Sequence, residues 1–237
     1  MQSVILATYE GERYIGAQLD SILAQLSESD EVIISDDAST DRTVDIARQR
    51  NDPRIKIVLN SSRLGYVKNF ERAIASARGE HIFFSDQDDI WLPEKVSMMQ
   101  SALRRKACVF SDAIIVDQDL RQLYASYFEF RKAHAFSFAA VFFRPCLIGA
   151  TMACRKDYLA TLLPFPADVP HDFWIALNAI LDGRLEIVRD PLILYRRHAA
   201  TASISATTLK RSGITIIDER LRMAKHLLSR RIRRRAR

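Results

Sequence analysis

Cysteine is scarce in this 237-residue chain: Cys108, Cys146 and Cys154 are the only three. An odd number without the spacing of zinc ligands excludes a disulfide scaffold and a zinc finger, and points to reduced thiols packed in a core. Seven glycines and seven prolines exclude a collagen-like or low-complexity chain, and no repeat recurs at a fixed period. No apolar run reaches the roughly 18 residues needed to cross a bilayer. The N-terminus enters a strand without a basic region or a cleavable apolar stretch, so a cytoplasmic location is expected. Net positive charge is missing from the body of the chain. The net charge is +6, yet residues 218–237 carry +7 and residues 1–217 carry −1. A nearly neutral body lacks the basic face that holds a nucleic-acid backbone, so no nucleic-acid partner is expected. What is present is 48% hydrophobic residues, enough for a sizeable core.

Apolar runs at Val4–Ala7, Val32–Ile34, Ile55–Leu59 and His81–Phe84 read as strands. Between them, Ile15, Leu19, Ile22, Leu23 and Leu26 form one helical stripe, Val44 and Ala47 a second, and Phe70, Ala73, Ile74 and Ala77 a third. Three strand-helix units feeding a fourth strand predict an α/β fold with a doubly wound, mostly parallel central sheet flanked by helices. Further on, a helix is predicted from Pro93 to about Arg105, short strands at 108–111 and 113–116, and a strand at 146–153. Helices follow at 156–163 and 171–181, strands at 185–188 and 192–195, and an amphipathic basic helix from Ile214 onward. The aromatic-rich segment 117–143 gives no clear period.

The fourth strand runs straight into Asp86, Asp88 and Asp89, placing acids at a strand's carboxyl end, where open α/β sheets bind ligands. Clustered carboxylates repel one another unless neutralised, and hard oxygen ligands suit Mg2+ or Mn2+ bridging to phosphates.

The order A-T-Y-E-G (7–11), S-D-D-A-S-T-D-R-T (35–43), N-S-S-R-L-G-Y-V-K-N-F (60–70), S-D-Q-D-D-I-W-L-P-E-K (85–95), G-A-T-M-A (149–153), P-H-D-F-W (170–174) and Y-R-R-H (195–198) resembles family 2 glycosyltransferases of the GT-A fold. It is most similar to a bacterial branch assigned to rhamnosyl transfer onto cell-surface polysaccharides. The resemblance implies a GT-A domain over 1–213, with a nucleotide-sugar half (1–112) and an acceptor half (113–213), followed by a basic tail (214–237). It implies a dTDP- or UDP-sugar donor, a divalent cation, inverting displacement, and a saccharide or lipid-linked acceptor.

By the same resemblance, Ala7, Thr8 and Tyr9 wall the nucleoside, although the family's usual Pro and Asn flanking this motif are Ala7 and Glu10 here. Asp37 receives the imide N–H of a pyrimidine base, and Arg63 and Asn69 face the donor. Asp86-Gln87-Asp88 corresponds to the DXD element, with Asp86, Asp88 and His198 as metal ligands and Gln87 beside the donor. Arg196 or Arg197 pairs with phosphate. Asp172 is the general base. Gly149, Ala150, Thr151, His171 and Trp174 line the acceptor side. The tail suits an anionic membrane surface, with RNA as the rival partner. Other readings are a sugar nucleotidyltransferase, which would want a glycine-rich basic loop after the first strand, and a non-catalytic nucleotide-sugar or nucleic-acid binding module.

Overall fold

The computed structural model describes residues 1–197 and 213–235. Nine strands among these residues form one sheet, in the order β3-β2-β1-β4-β8-β6-β9-β5, with β7 on the side of β6. The first half is parallel: β1 (Gln2–Thr8) lies between β2 (Glu31–Asp36) and β4 (His81–Asp86), and β3 (Ile55–Leu59) follows β2. Val4, Ile5 and Leu6 of β1 are fully buried, as a strand covered on both faces requires. The connecting helices are α1 (Ile15–Leu23), α2 (Thr43–Gln49) and α3 (Tyr66–Ser76); α1 and α3 place their predicted stripes on the core, while α2 buries Ala47 with Thr43 and leaves Val44 half-buried.

Register fixes the site. Thr8 pairs with Asp36, and Ala7 pairs with Asp86, so three strands end level and deliver their polar loops to one edge. At the opposite edge Glu31, 1% exposed, accepts hydrogen bonds from Ser3, Lys56 and the Arg78 backbone and side chain. Burial alone would raise its pKa; these donors outweigh burial and lower it to about 2.

The second half is mixed. β5 (Ile90–Trp91) leads to α4 (Lys95–Leu103) and then β6 (Cys108–Val116), with β7 (Gln122–Tyr124) beside it. The two strands predicted at 108–111 and 113–116 are one, as are those at 185–188 and 192–195, which form β9 (Leu185–Arg196). β6 and β9 pair in parallel through register shifts around Ser111 and Asp112, and these breaks in the apolar pattern made each strand look like two. The strand predicted at 146–153 is mostly not one. After Pro145 the chain passes through a short 3-10 turn, Gly149–Thr151, closed on Ile148 by the Thr151 N–H and hydroxyl, and only β8 (Met152–Arg155) joins the sheet. Within 117–143, α5 (Tyr127–Phe130) and α6 (Phe138–Phe143) are short helices whose first turns are capped by Ser126 and Ser137. α7 (Lys156–Ala160) and α8 (His171–Leu181) precede β9. Cys108, Cys146 and Cys154 are buried free thiols.

The last helix, α9 (Gly213–Arg235), docks one face on the body. Met223 and Leu227 are buried, His226 meets Asp168 at 2.7 Å, and Arg230 and Arg234 both reach Asp182. Burial of Asp182 is outweighed by these guanidiniums and the Tyr158 hydroxyl, which hold its carboxyl below the usual range. No described helix is long and apolar enough to cross a membrane.

Candidate active site

The loop after β1 is braced from two sides. The Thr8 hydroxyl donates to Asp36 at 2.8 Å, while Gln87 clasps the Tyr9 backbone, accepting from its N–H at 2.8 Å and donating to its carbonyl at 2.9 Å. Gln87 therefore shapes the Tyr9 wall through its own amide. The Tyr9 ring is 37% exposed, and the Arg63 guanidinium lies 3.9 Å from its centre. These two predicted donor residues do come together, on the solvent side of the strand ends.

Asp37 is buried, and its carboxylate accepts from the Asn60 amide and from the Leu64 and Gly65 N–H groups at 2.7–2.9 Å. Gly65 has φ +82°, a conformation that favours glycine, and so hands its N–H to Asp37 while starting α3. Asn69 corrects an expectation. It is 2% exposed, donates to the Ser35 carbonyl, and accepts from the Ser35 hydroxyl and Asn60, so it supports the Asp37 loop from within and faces no donor.

Asp86, at the end of β4, is partly exposed and held in place from below by Gln18, a fully buried side chain of α1 that donates to the Ser85 hydroxyl and the Asp86 carbonyl. Burial, then the charges of Asp88 and Asp172, push the Asp86 carboxyl up to about 7. Asp86, Asp88 and Asp172 thus share one electrostatic environment, although Asp172 lies far from the other two in sequence. Asp89 is 1% exposed; it accepts from the Arg196 N–H at 2.9 Å, and its other oxygen has no partner. Burial and the neighbouring Asp88 and Asp86 hold it well above the normal carboxylate range. Arg196, expected at a phosphate, is itself buried, and its Nε grips the Asp88 carbonyl at 2.6 Å. Its work is to hold the acidic loop.

Asp172 sits in the first turn of α8. One oxygen accepts from the Gly149 N–H at 3.1 Å, the other from the Phe173 N–H at 2.7 Å. A Cβ on Gly149 would stand 3.2 Å from His171 Nε2 and 3.5 Å from Asp172 Cβ, so the turn packs closely on this helix start. His171 is 4% exposed among Tyr66, Phe70, Phe84 and Phe165, with neither ring nitrogen partnered, and burial lowers its pKa. Trp174 corrects a second expectation: it is 3% exposed and its indole N–H donates to the Leu162 carbonyl, so its ring packs the core and offers no stacking face. Ala150 and Thr151 are likewise buried and support the turn from beneath; Gly149 alone touches the catalytic candidate.

No set of three His, Cys, Asp or Glu side chains placed to hold a metal occurs among the described residues, and His198, the expected third ligand, lies outside them. The donor chemistry still fits a hard dication. Mg2+ and Mn2+ are typically held by one or two carboxylates with substrate phosphates and water completing the shell, and Asp88 and Asp172 add their negative charge to the burial that raises the Asp86 carboxyl.

Sequence reasoning missed Lys95, which is fully buried at the start of α4 behind these acids. Its Nζ donates to the Ala150 carbonyl at 2.7 Å. It stood inside a quoted motif, and only its burial distinguishes it from an ordinary surface lysine.

The family model described as "Glycosyl transferase family 2" matches residues 3–163. A dTDP-rhamnosyl transferase of Shigella flexneri, RfbG, is 32% identical over 211 residues, covering 81% of this chain and 71% of its own. The Escherichia coli protein WfgD, a UDP-Glc:alpha-D-GlcNAc-diphosphoundecaprenol beta-1,3-glucosyltransferase, is 24% identical over 216 residues, 88% of this chain and 81% of its own. Relatives in Mycobacterium tuberculosis are 28% identical over 88% of this chain, which spans 62% of their length. Among solved structures, Staphylococcus aureus TarS with UDP-GlcNAc superposes with a TM-score of 0.67 at 22% identity, over 84% of this chain and 59% of that one. The Pyrobaculum calidifontis mannosyltransferase PcManGT, in complex with GDP-Man and Mn2+, gives 0.60 at 22% identity, over 80% and 54%. The fold is GT-A.

Proposed function

Because the chain belongs to glycosyl transferase family 2, we propose that it is an inverting, divalent-metal-dependent transferase. It moves a sugar from a dTDP- or UDP-sugar to a hydroxyl of a saccharide or lipid-linked precursor of a cell-surface polysaccharide. The observation that carries this reading is that β1, β2 and β4 end level and bring Asp86 and Asp88 to one edge, where Asp172 of α8 lies near enough that its charge, after burial and Asp88, helps raise the Asp86 carboxyl to about 7. The names of RfbG and WfgD support the donor and acceptor classes, and a rhamnosyl donor is the first choice.

In this reading Tyr9 packs on the base, with Arg63 beside it, and the Asp37 loop closes the nucleoside end. Asp86 and Asp88, with His198 as the third ligand, hold Mg2+ or Mn2+, which when bound offsets the charge growing on the leaving diphosphate. Asp172 takes the proton of the acceptor hydroxyl as its oxygen attacks the anomeric carbon. The bond from that carbon to the phosphate oxygen breaks, and its electron pair leaves on the nucleoside diphosphate. The Gly149 N–H aims the receiving carboxylate. A panel of dTDP- and UDP-sugars with and without Mn2+ tests this: the expected result is a rise in melting temperature on Mn2+ plus nucleotide, with nucleotide release from one donor. Triphosphate turnover instead would favour a nucleotidyltransferase.

Peripheral membrane contact through α9 belongs to the same proposal. Ile217, Leu221, Leu228 and Ile232 are 60–64% exposed and recur along the side of the helix away from its docked face, with exposed Lys225, Arg231 and Arg233 nearby. Flotation with phosphatidylglycerol-rich liposomes should retain the full chain and lose a chain lacking 214–237. Binding that ignores lipid charge, or survives the truncation, would defeat the proposal.

A further inference from the structure

Lys95 is in the wrong place for a structural cation. It is fully buried, where an ammonium is expensive to desolvate, and it opens α4, where the helix dipole repels positive charge. Burial drags its pKa down to about 7 against the pull of Asp89 and Asp86. A methionine of similar length would fill the space against the Trp91 ring, which Nζ approaches at 4.5 Å from the centroid. Retaining an ammonium makes sense through its two connections. The first is the cation-π contact with Trp91, which follows the acidic loop two residues after Asp89. The second is the 2.7 Å hydrogen bond to the Ala150 carbonyl, which is the middle of the Gly149–Thr151 turn.

That turn faces two ways. Behind, its Ala150 carbonyl is hooked by Lys95; in front, its Gly149 N–H holds the Asp172 carboxylate at 3.1 Å. We infer that Lys95 is a positioning residue: it ties the donor-side acidic loop to the turn that aims Asp172, setting the separation between the leaving-group end and the proton acceptor. The inference rests on the transferase reading for its consequence, while the clamp itself is a property of the fold.

The test compares Lys95→Met with the double variant Lys95→Met/Asp89→Asn, which removes a buried charge of each sign and restores balance. Three quantities are measured: amide hydrogen exchange over residues 148–152, affinity for UDP in Mn2+, and the rate of UDP release from UDP-glucose or the donor that wild type accepts. In both variants exchange at the turn should quicken roughly tenfold or more, as expected for loss of a charge-assisted hydrogen bond. Nucleotide release should fall about a hundredfold, the scale of a misplacement near 1 Å. UDP affinity should weaken in the single variant and recover in the double, because only charge balance governs it. If the single variant fails to fold, the double carries the test alone. Unchanged exchange, or turnover restored in the double, would mean that Lys95 only neutralises Asp89, and the inference fails. If wild type binds neither UDP nor dTDP in Mn2+, the transferase reading fails separately, and the exchange data still decide the clamp.

Discussion

Substituting Asp172 by Asn should lower sugar transfer about a thousandfold and leave Mn2+-supported nucleotide binding near wild type. Loss of a positioned general base is typically worth 10²- to 10⁴-fold, about 3–5 kcal/mol in the barrier. The amide keeps an oxygen able to accept from the Gly149 or Phe173 N–H, so the helix start should hold its shape while the proton acceptor is gone. The neutral amide also removes one of the negative charges near Asp86, so metal binding should be the same or slightly weaker. Steady-state turnover together with calorimetric titration of nucleotide in Mn2+ checks both halves. Near-native turnover would exclude the base role; collapse of nucleotide binding would instead place Asp172 among the groups that hold the donor.

The second large effect is on the metal and depends on pH. Asp86 binds its proton more tightly in the fold, at about 7, than at its ordinary value of 3.8. Ionising it therefore lowers the stability of the metal-free protein. That penalty is absent below pH about 4, grows as pH rises, and is complete above about 7. A dication needs the ionised form, so below pH 7 Mn2+ competes with a proton and nucleotide affinity in Mn2+ should weaken by close to tenfold per unit. The Mn2+-induced rise in melting temperature should accordingly be larger at pH 8 than at pH 6. Asp86→Asn should abolish the Mn2+ effect and flatten the pH dependence, losing about a hundredfold or more in Mn2+-supported affinity if a first-sphere ligand is removed. A Mn2+ response in Asp86→Asn as large as in wild type would remove Asp86 from the metal site.

The nucleotide half of the fold was legible because each strand is a continuous apolar run and each helix a clean stripe ended by polar or glycine punctuation, as at Gly79 before β4. Alignment of Thr8, Asp36 and Asp86 then follows from parallel pairing alone. Legibility fell where a strand carries polar residues in its middle. Ser111-Asp112 in β6 and Asp190-Pro191 in β9 each read as an end, because a bulge and a register shift are set by the neighbouring strand. Residues 146–148 look strand-like, and only the packing of Gly149 on His171 and Asp172 explains why the backbone turns there instead. Among site residues, those that project from loops were readable by type and position. Those that work from beneath were not: Gln18, Asn69, Trp174 and Lys95 owe their roles to partners between 9 and 68 positions away, which periodicity cannot reveal.

Helix α8 bears Asp172 in its first turn, and its C-cap is Asp182, which receives Arg230, Arg234 and the Tyr158 hydroxyl. Eleven residues of α-helix make a strut about 16 Å long. If α9 rests on a membrane as proposed, that surface is kept at a fixed stand-off from the Asp172 carboxylate, so an acceptor anchored in it would have to present its hydroxyl at one height.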